Sequence, residues 1–299
     1  MNNYRATPLI HVDPVVLVDL PCETGEGPLW DDRSQSLTWN DIPPGTLYRY
    51  TPDSGTNEVL YQHEAAIGGH TLQDDGSLVI FAADGRVLIL RDGETTTILE
   101  SIPEVTGSRF NDVASGPRGE VFCGTMPLKR GDARLYRLDP NGQLHLVWDD
   151  LGLSNGIGFS PDERTMYLSD SDNRVVYRAD YDHETGDLSN REILITLNDA
   201  AAVPDGMTVD SNGDLWVAVW DGECVLHYSA AGTLIDMVNF PVKKISSINF
   251  GGGNFGTAFV TTAGGQNRQG PDGPLAGSLF SVTIPGVTGK SDYRSRILL

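Results

Sequence analysis

At 299 residues the chain is long enough to bury a large core, and closed all-β folds of this length commonly form one unit. A formal net charge of −20 repels phosphate backbones and anionic lipid, so neither a nucleic-acid nor a membrane partner is expected. Cys22, Cys123 and Cys224 stand far apart with no C-x-x-C pair, and the six histidines show no H-x-H or H-x-x-x-H spacing. That excludes a disulfide framework or thiolate zinc site and leaves any metal to mostly oxygen ligands.

The first twenty residues lack a basic region followed by an apolar core and a small-residue cleavage site. No run of 18 apolar residues follows anywhere. The chain is therefore expected to begin at its mature N-terminus and to be cytoplasmic, a monomer or weak dimer. The first apolar segment is PVVLVDL at 14–20. After it come the strand-like runs SLVIFAA (77–83), RVLIL (86–90), EVFCGTM (120–126), TMYLSD (165–170), LWVAVW (215–220) and TAFVTTA (257–263). Each is rich in β-branched or aromatic residues, and most are bounded by Asp-Gly, Asn-Gly or Pro-Asp turns. No amphipathic helix longer than two turns is apparent.

A unit recurs along the chain: a short motif, a few apolar residues, a turn rich in Asp, Gly and Asn, then a strong strand. It begins near Gly25, Gly68, Phe110, Ser154, Pro204 and Ser247. Aligned on the residue before the first apolar stretch, the six positions are Glu26, Gly69, Asn111, Asn155, Asp205 and Ile248, spaced 43, 42, 44, 50 and 43 apart. A period of roughly 40 to 50 residues with about four strands per unit predicts a six-bladed β-propeller over 1–299, rather than an irregular pair of sandwiches. The last unit lacks a strand after SLFSVTI (278–284), and the segment 14–20 can supply it and close the ring.

Equivalent positions of successive blades surround one axis, so Glu26, Asn111, Asn155 and Asp205 should converge on the channel. Two carboxylates and two amides suit a hard divalent cation. Taken singly, Asn155-Gly156 and Asp205-Gly206 also read as ordinary turn dipeptides, like Asp75-Gly76, Asp84-Gly85 and Asp92-Gly93. Those three fall elsewhere in the repeat, which favours the channel reading for 155 and 205. Arg109 is a candidate for binding an oxyanion or hydroxyls, against a surface arginine. His70 either lines the mouth or packs in the core. Trp220 either walls the site or packs.

The chain resembles the family of senescence marker protein (regucalcin), gluconolactonase and luciferin-regenerating enzyme over essentially its full length. The resemblance rests on Gly25-Glu26-Gly27-Pro28-Leu29-Trp30, Arg109-Phe110-Asn111-Asp112, Gly124-Thr125-Met126, Ser154-Asn155-Gly156 and Pro204-Asp205-Gly206-Met207. It implies a six-bladed propeller with one divalent metal in the central channel, held by Glu26, Asn155 and Asp205. It further implies substrate contacts from Arg109 and Asn111, and hydrolysis of an aldonolactone of the gluconolactone, xylonolactone or arabinolactone type. Asp205 is the expected general base. Calcium is the expected ion, with zinc, manganese, magnesium or ferrous iron as alternatives. Sugar-lactonase relatives carry a glutamate shortly after Gly-Thr-Met, where this chain has Lys129, which leaves the sugar open. The alternatives are an esterase or phosphotriesterase on the same site, or a non-catalytic calcium-binding propeller.

Overall fold

The computed structural model describes residues 4–299. Six four-stranded antiparallel sheets follow one another in chain order. The first five blades occupy 25–62, 67–99, 110–151, 154–196 and 203–239, each meandering outward from its first strand. The sixth takes Ile245–Gly251, Thr257–Thr262 and Leu279–Thr283 from the C-terminal part and Val15–Val18 as its outermost strand. Its last sheet is thus hydrogen-bonded from both ends of the chain. Among the described residues the helices are three short 3₁₀ turns, and no helix is long and apolar enough to cross a membrane.

Both faces of the second strands are covered by neighbouring blades, so Ser36–Asp41, Leu78–Ala82 and Val121–Thr125 are buried throughout. The core is accordingly six separate clusters, one per blade junction. Trp30, Leu37 and Trp39 of blade one meet Phe259 and Leu279 of blade six, and Phe81 of blade two meets Phe110 of blade three edge to face. Each buried side chain of this size contributes roughly 1.5–3 kcal/mol, so the junctions hold the ring shut.

At one level every inner strand has a register shift: between Glu26 and Leu29, Ile67 and Gly69, Phe110 and Val113, Ser154 and Ile157, Pro204 and Met207, and Ile245 and Ser247. Bulges twist a strand and re-aim its side chains, and here they do so around one axis. Four junctions also repeat one hydrogen bond. Asn40 Nδ2 donates to Ile67 O (3.1 Å), Asn111 Nδ2 to Ser154 O (2.9 Å), Ser171 Oγ to Pro204 O (2.7 Å) and Ser246 Oγ to Gly25 O (2.6 Å). Each accepting carbonyl precedes Gly68, Asn155, Asp205 or Glu26. The structural equivalent in blade two is therefore Gly68, not Gly69, and in blade six the residue at the bulge is Ser246, not Ile248. The bulges change the local residue count, which an alignment on apolar residues cannot register.

Candidate active site

Glu26, Asn111, Asn155 and Asp205 come from the inner strands of blades one, three, four and five and line one cleft of about 210 Å³. All four are buried, at 8%, 7%, 5% and 4% exposure, although none sits in an apolar core cluster. The inner strands of blades four, five and six approach one another closely here because glycine follows Asn155 and Asp205. A Cβ on Gly156 would lie 2.6 Å from Asp205 O, and one on Gly206 would lie 2.2 Å from Ser247 Oγ. Neither glycine has a positive φ, whereas Gly76, Gly85 and Gly93 do. The Asn155-Gly156 and Asp205-Gly206 pairs are thus close-packed strand positions and the other three are turns.

Burial is the largest influence on both carboxylates and pushes them well above the usual range. For Glu26 the charges of Asp205 and then Asp112 add to it, and the Gly27 N–H and Arg109 oppose it. For Asp205 the Asp112 charge adds, while the Asn155 amide, the Gly206 N–H and Arg109 oppose. Asp112, the next residue after Asn111, is itself raised to about 6 by burial. Arg109 is half-buried and pulled down to about 10 by desolvation, against the pull of Glu26 and Asp205, and stays cationic at neutral pH. Its Nη1 donates to Phe110 O (2.9 Å) and Asn111 Oδ1 (2.7 Å).

Arg109 is one cation shared between two buried carboxylates, Glu26 and Asp205, which is too few. Moreover, Asp205 Oδ1 is buried with no hydrogen-bond partner, an arrangement that costs stability unless something positive compensates it. Asn155 donates Nδ2 to Ser171 Oγ (3.1 Å), which leaves its Oδ1 for the cleft. Two carboxylates and an amide oxygen are a donor set that fits a hard divalent cation. Asn111 differs, since Arg109 and Ser154 occupy its oxygen and its nitrogen.

The family pattern described as SMP-30/Gluconolactonase/LRE-like region matches residues 24–264. The chain belongs to that family. It is 40% identical over 289 residues to the pentonolactonase XacC of Haloferax volcanii, covering 95% of this chain and 98% of that one. It is 32% identical to human regucalcin, covering 91% and 94%. The crystal structure of regucalcin from Agrobacterium tumefaciens, titled a calcium-binding protein, superposes with a TM-score of 0.89 at 26% identity over 97% and 99% of the two chains. The six-bladed propeller is thus the architecture of this family.

Around the cleft, Arg109 and Trp220 line the wall with Thr24, Ile42, Met126, Leu153, Ser171, Asp172 and Val203. Lys129 is exposed, pairs its N–H with Asp132 and is not among the lining residues; Met126 occupies that side. His70 is elsewhere. It lies two residues past Gly68, roughly 7 Å further along the inner strand, and lines a second cavity on the axis with Asp112, Asn249, Lys290, Asp292 and Tyr293. There it is 1% exposed and its Nε2 pairs with Thr38 Oγ1 (2.8 Å). Of the two readings for His70, mouth-lining or packed, the structure gives a buried position below the cleft, so its substrate-binding role is corrected. Ser171 escaped sequence reasoning because its role is to orient Asn155 from a neighbouring strand, and Asp112 because it follows Asn111 without sharing its register.

Burial lowers the His70 imidazole to about 3. The unfolded chain, with a value near 6.5, binds that proton at higher pH, so native stability falls as pH drops below about 6.5 toward 3. One proton accounts for at most about 1.4 kcal/mol per pH unit. His70→Gln is expected to flatten this acid-side slope in denaturant titrations between pH 4 and 7. Superimposable slopes for the two proteins would remove His70 from the account.

Proposed function

We propose that this protein hydrolyses the ester ring of a small aldonolactone, in a reaction that depends on one divalent cation held by Glu26, Asn155 and Asp205. The observation that carries the proposal is the unpartnered, buried Asp205 Oδ1 beside a second buried carboxylate in a cleft large enough for a sugar ring. The names of the relatives agree with it: one is a pentonolactonase and another is titled calcium-binding. Calcium is the ion best matched to an all-oxygen donor set.

When bound, the cation supplies Lewis acidity toward the lactone carbonyl oxygen. Asp205 acts as general base: the carboxylate oxygen not engaged by the cation takes a proton from the attacking water. Arg109 moves off Asn111 to bind ring hydroxyls, and the freed Asn111 oxygen accepts from a substrate hydroxyl. Both contacts fix the carbonyl carbon against the water. Trp220, Met126, Ile42, Leu153 and Val203 pack the ring's carbon face and limit water entry. Ring opening converts lactone and water into the aldonic acid, which releases one proton at neutral pH.

Chelator-stripped protein resupplied with single cations should be assayed by pH-stat on pentonolactones, hexonolactones, aliphatic lactones, aryl esters and phosphotriesters. Cation-dependent proton release on the sugar lactones is the expected result. Turnover confined to phosphotriesters, or sugar-lactone turnover undiminished by stripping, would overturn the proposal.

A further inference from the structure

A second group of donor atoms stands at the other end of blade five, and the function above does not use it. Asp210 follows the inner strand Val203–Val209, so it is about five residues, or roughly 17 Å, from Asp205 along the strand. The turn that begins there reads Asp210-Ser211-Asn212-Gly213-Asp214, with Gly213 at φ 92. Asp210 Oδ1 accepts the N–H groups of Asn212 (2.8 Å) and Asp214 (3.0 Å), and Oδ2 accepts Trp216 Nε1 (3.1 Å). A carboxylate oxygen has two lone pairs, so Oδ2 keeps one.

Trp216, His227 and Asp236 form one cross-strand row on three adjacent strands. His227 stacks on Trp216 with ring centroids 4.0 Å apart and planes at 10°, which fixes the imidazole plane. Its Nδ1 pairs with Asp236 Oδ1 (2.8 Å), which leaves the other nitrogen, Nε2, directed at the turn. The side chain is nine-tenths buried and Nε2 has no hydrogen-bond partner. Asp214 accepts the Ala230 N–H on Oδ1 (3.3 Å) and presents Oδ2 to Nε2 at 3.4 Å. Donor atoms of Asp210, Asp214 and His227 all lie within 4.8 Å of one another.

We infer that Asp210, Asp214 and His227 form a second metal site, selective for zinc, that clips the turn of blade five to its third strand. Ligands about 2.1 Å from zinc stand about 3.4 Å apart on a tetrahedron, which is the separation of His227 Nε2 from Asp214 Oδ2. No hydrogen bond forms across that separation, and Nε2 is buried without a partner. The Asp236–His227 pair is the carboxylate–histidine arrangement that orients a metal-bound imidazole. One imidazole and two carboxylates favour zinc, whereas the all-oxygen cleft favours calcium. Water from the Asp214 side completes the shell.

The experiment measures zinc in stripped protein re-equilibrated with excess calcium and one equivalent of zinc per chain, then gel-filtered. Native protein and Asp205→Asn are expected to carry one zinc per chain, and His227→Gln and Asp214→Asn none. Cobalt(II) in place of zinc should give visible absorption of a four-coordinate ion in the first two proteins and lose it in the other two. His227→Gln should keep native far-ultraviolet dichroism and lactone turnover. A native protein that takes up no zinc beside calcium overturns the inference, as does either blade-five variant that retains its zinc. If both variants fail to fold, zinc edge diffraction from native crystals decides: a peak between Asp210, Asp214 and His227 supports the site and its absence overturns it.

Discussion

Asp205→Asn is expected to lower kcat/KM for a sugar lactone by about a thousandfold or more while the propeller stays folded. The substitution is isosteric, so the bulge at Pro204–Met207 and the close contact of Gly206 with Ser247 survive. What it removes is the basic oxygen and one of two anionic donors. A positioned general base contributes roughly 10²- to 10⁴-fold, and a weaker cation site adds to the loss. Titrating the cation separates the two contributions. The part of the deficit that persists when added calcium no longer raises the rate belongs to proton transfer. The same variant without cation should be at least as stable as the native protein at neutral pH, since a buried, partnerless carboxylate oxygen has been made neutral. A kcat within a few-fold of native at saturating calcium would show that another group takes the proton.

The architecture was legible because its period is long and its units are bounded by strong turns. Six repeats between Gly25 and Ser247 translate directly into six blades, and an unpaired strand at the end finds its partner in Val15–Val18. Glu26, Asn111, Asn155 and Asp205 could be grouped because a polar residue recurring at one repeat position has one place to point. Two things were hidden. Bulges add residues without changing the pattern of apolar positions, so blades two and six were misaligned by one and two residues, and the choice between mouth and core for His70 stayed open until the structure put it in the lower cavity. Groups assembled across strands, such as Ser171 with Asn155 or His227 with Asp214, leave no short spacing to find. Lys129 shows the converse: its position in the sequence drew attention, yet its side chain is at the surface and Met126 faces the cleft.

Glu26→Gln should reverse the effect of a cation on stability, and the sign follows from protonation. Burial, then the charges of Asp205 and Asp112, raise the Glu26 carboxyl above its unfolded value, which is near 4.3. A raised carboxyl contributes stability that is fully present below the unfolded value and is lost as pH climbs through the folded one. Stripped native protein therefore loses stability from acid toward neutral pH through this group, and Glu26→Gln loses less. A divalent cation must displace that proton, so its stabilising effect grows with pH in the native protein. Changing a residue behind a metal ligand typically weakens affinity 10- to 100-fold, so losing the ligand's charge should cost at least about 100-fold. At a cation concentration 100 times the native Kd, ligand stabilisation of about 2.7 kcal/mol would shrink to about 0.4 kcal/mol in the variant. Urea unfolding at pH 5 and 8, with calcium and with chelator, tests both halves. The variant should exceed native stability in chelator at pH 8 and fall below it in calcium. Asp292, raised to about 6 by burial, is present in both proteins and cancels in the difference, whereas removing the Glu26 charge also relieves Asp205 and Asp112 and adds to the variant's stability in chelator at pH 8. Equal calcium stabilisation of the two proteins at pH 8 would mean that Glu26 holds no cation.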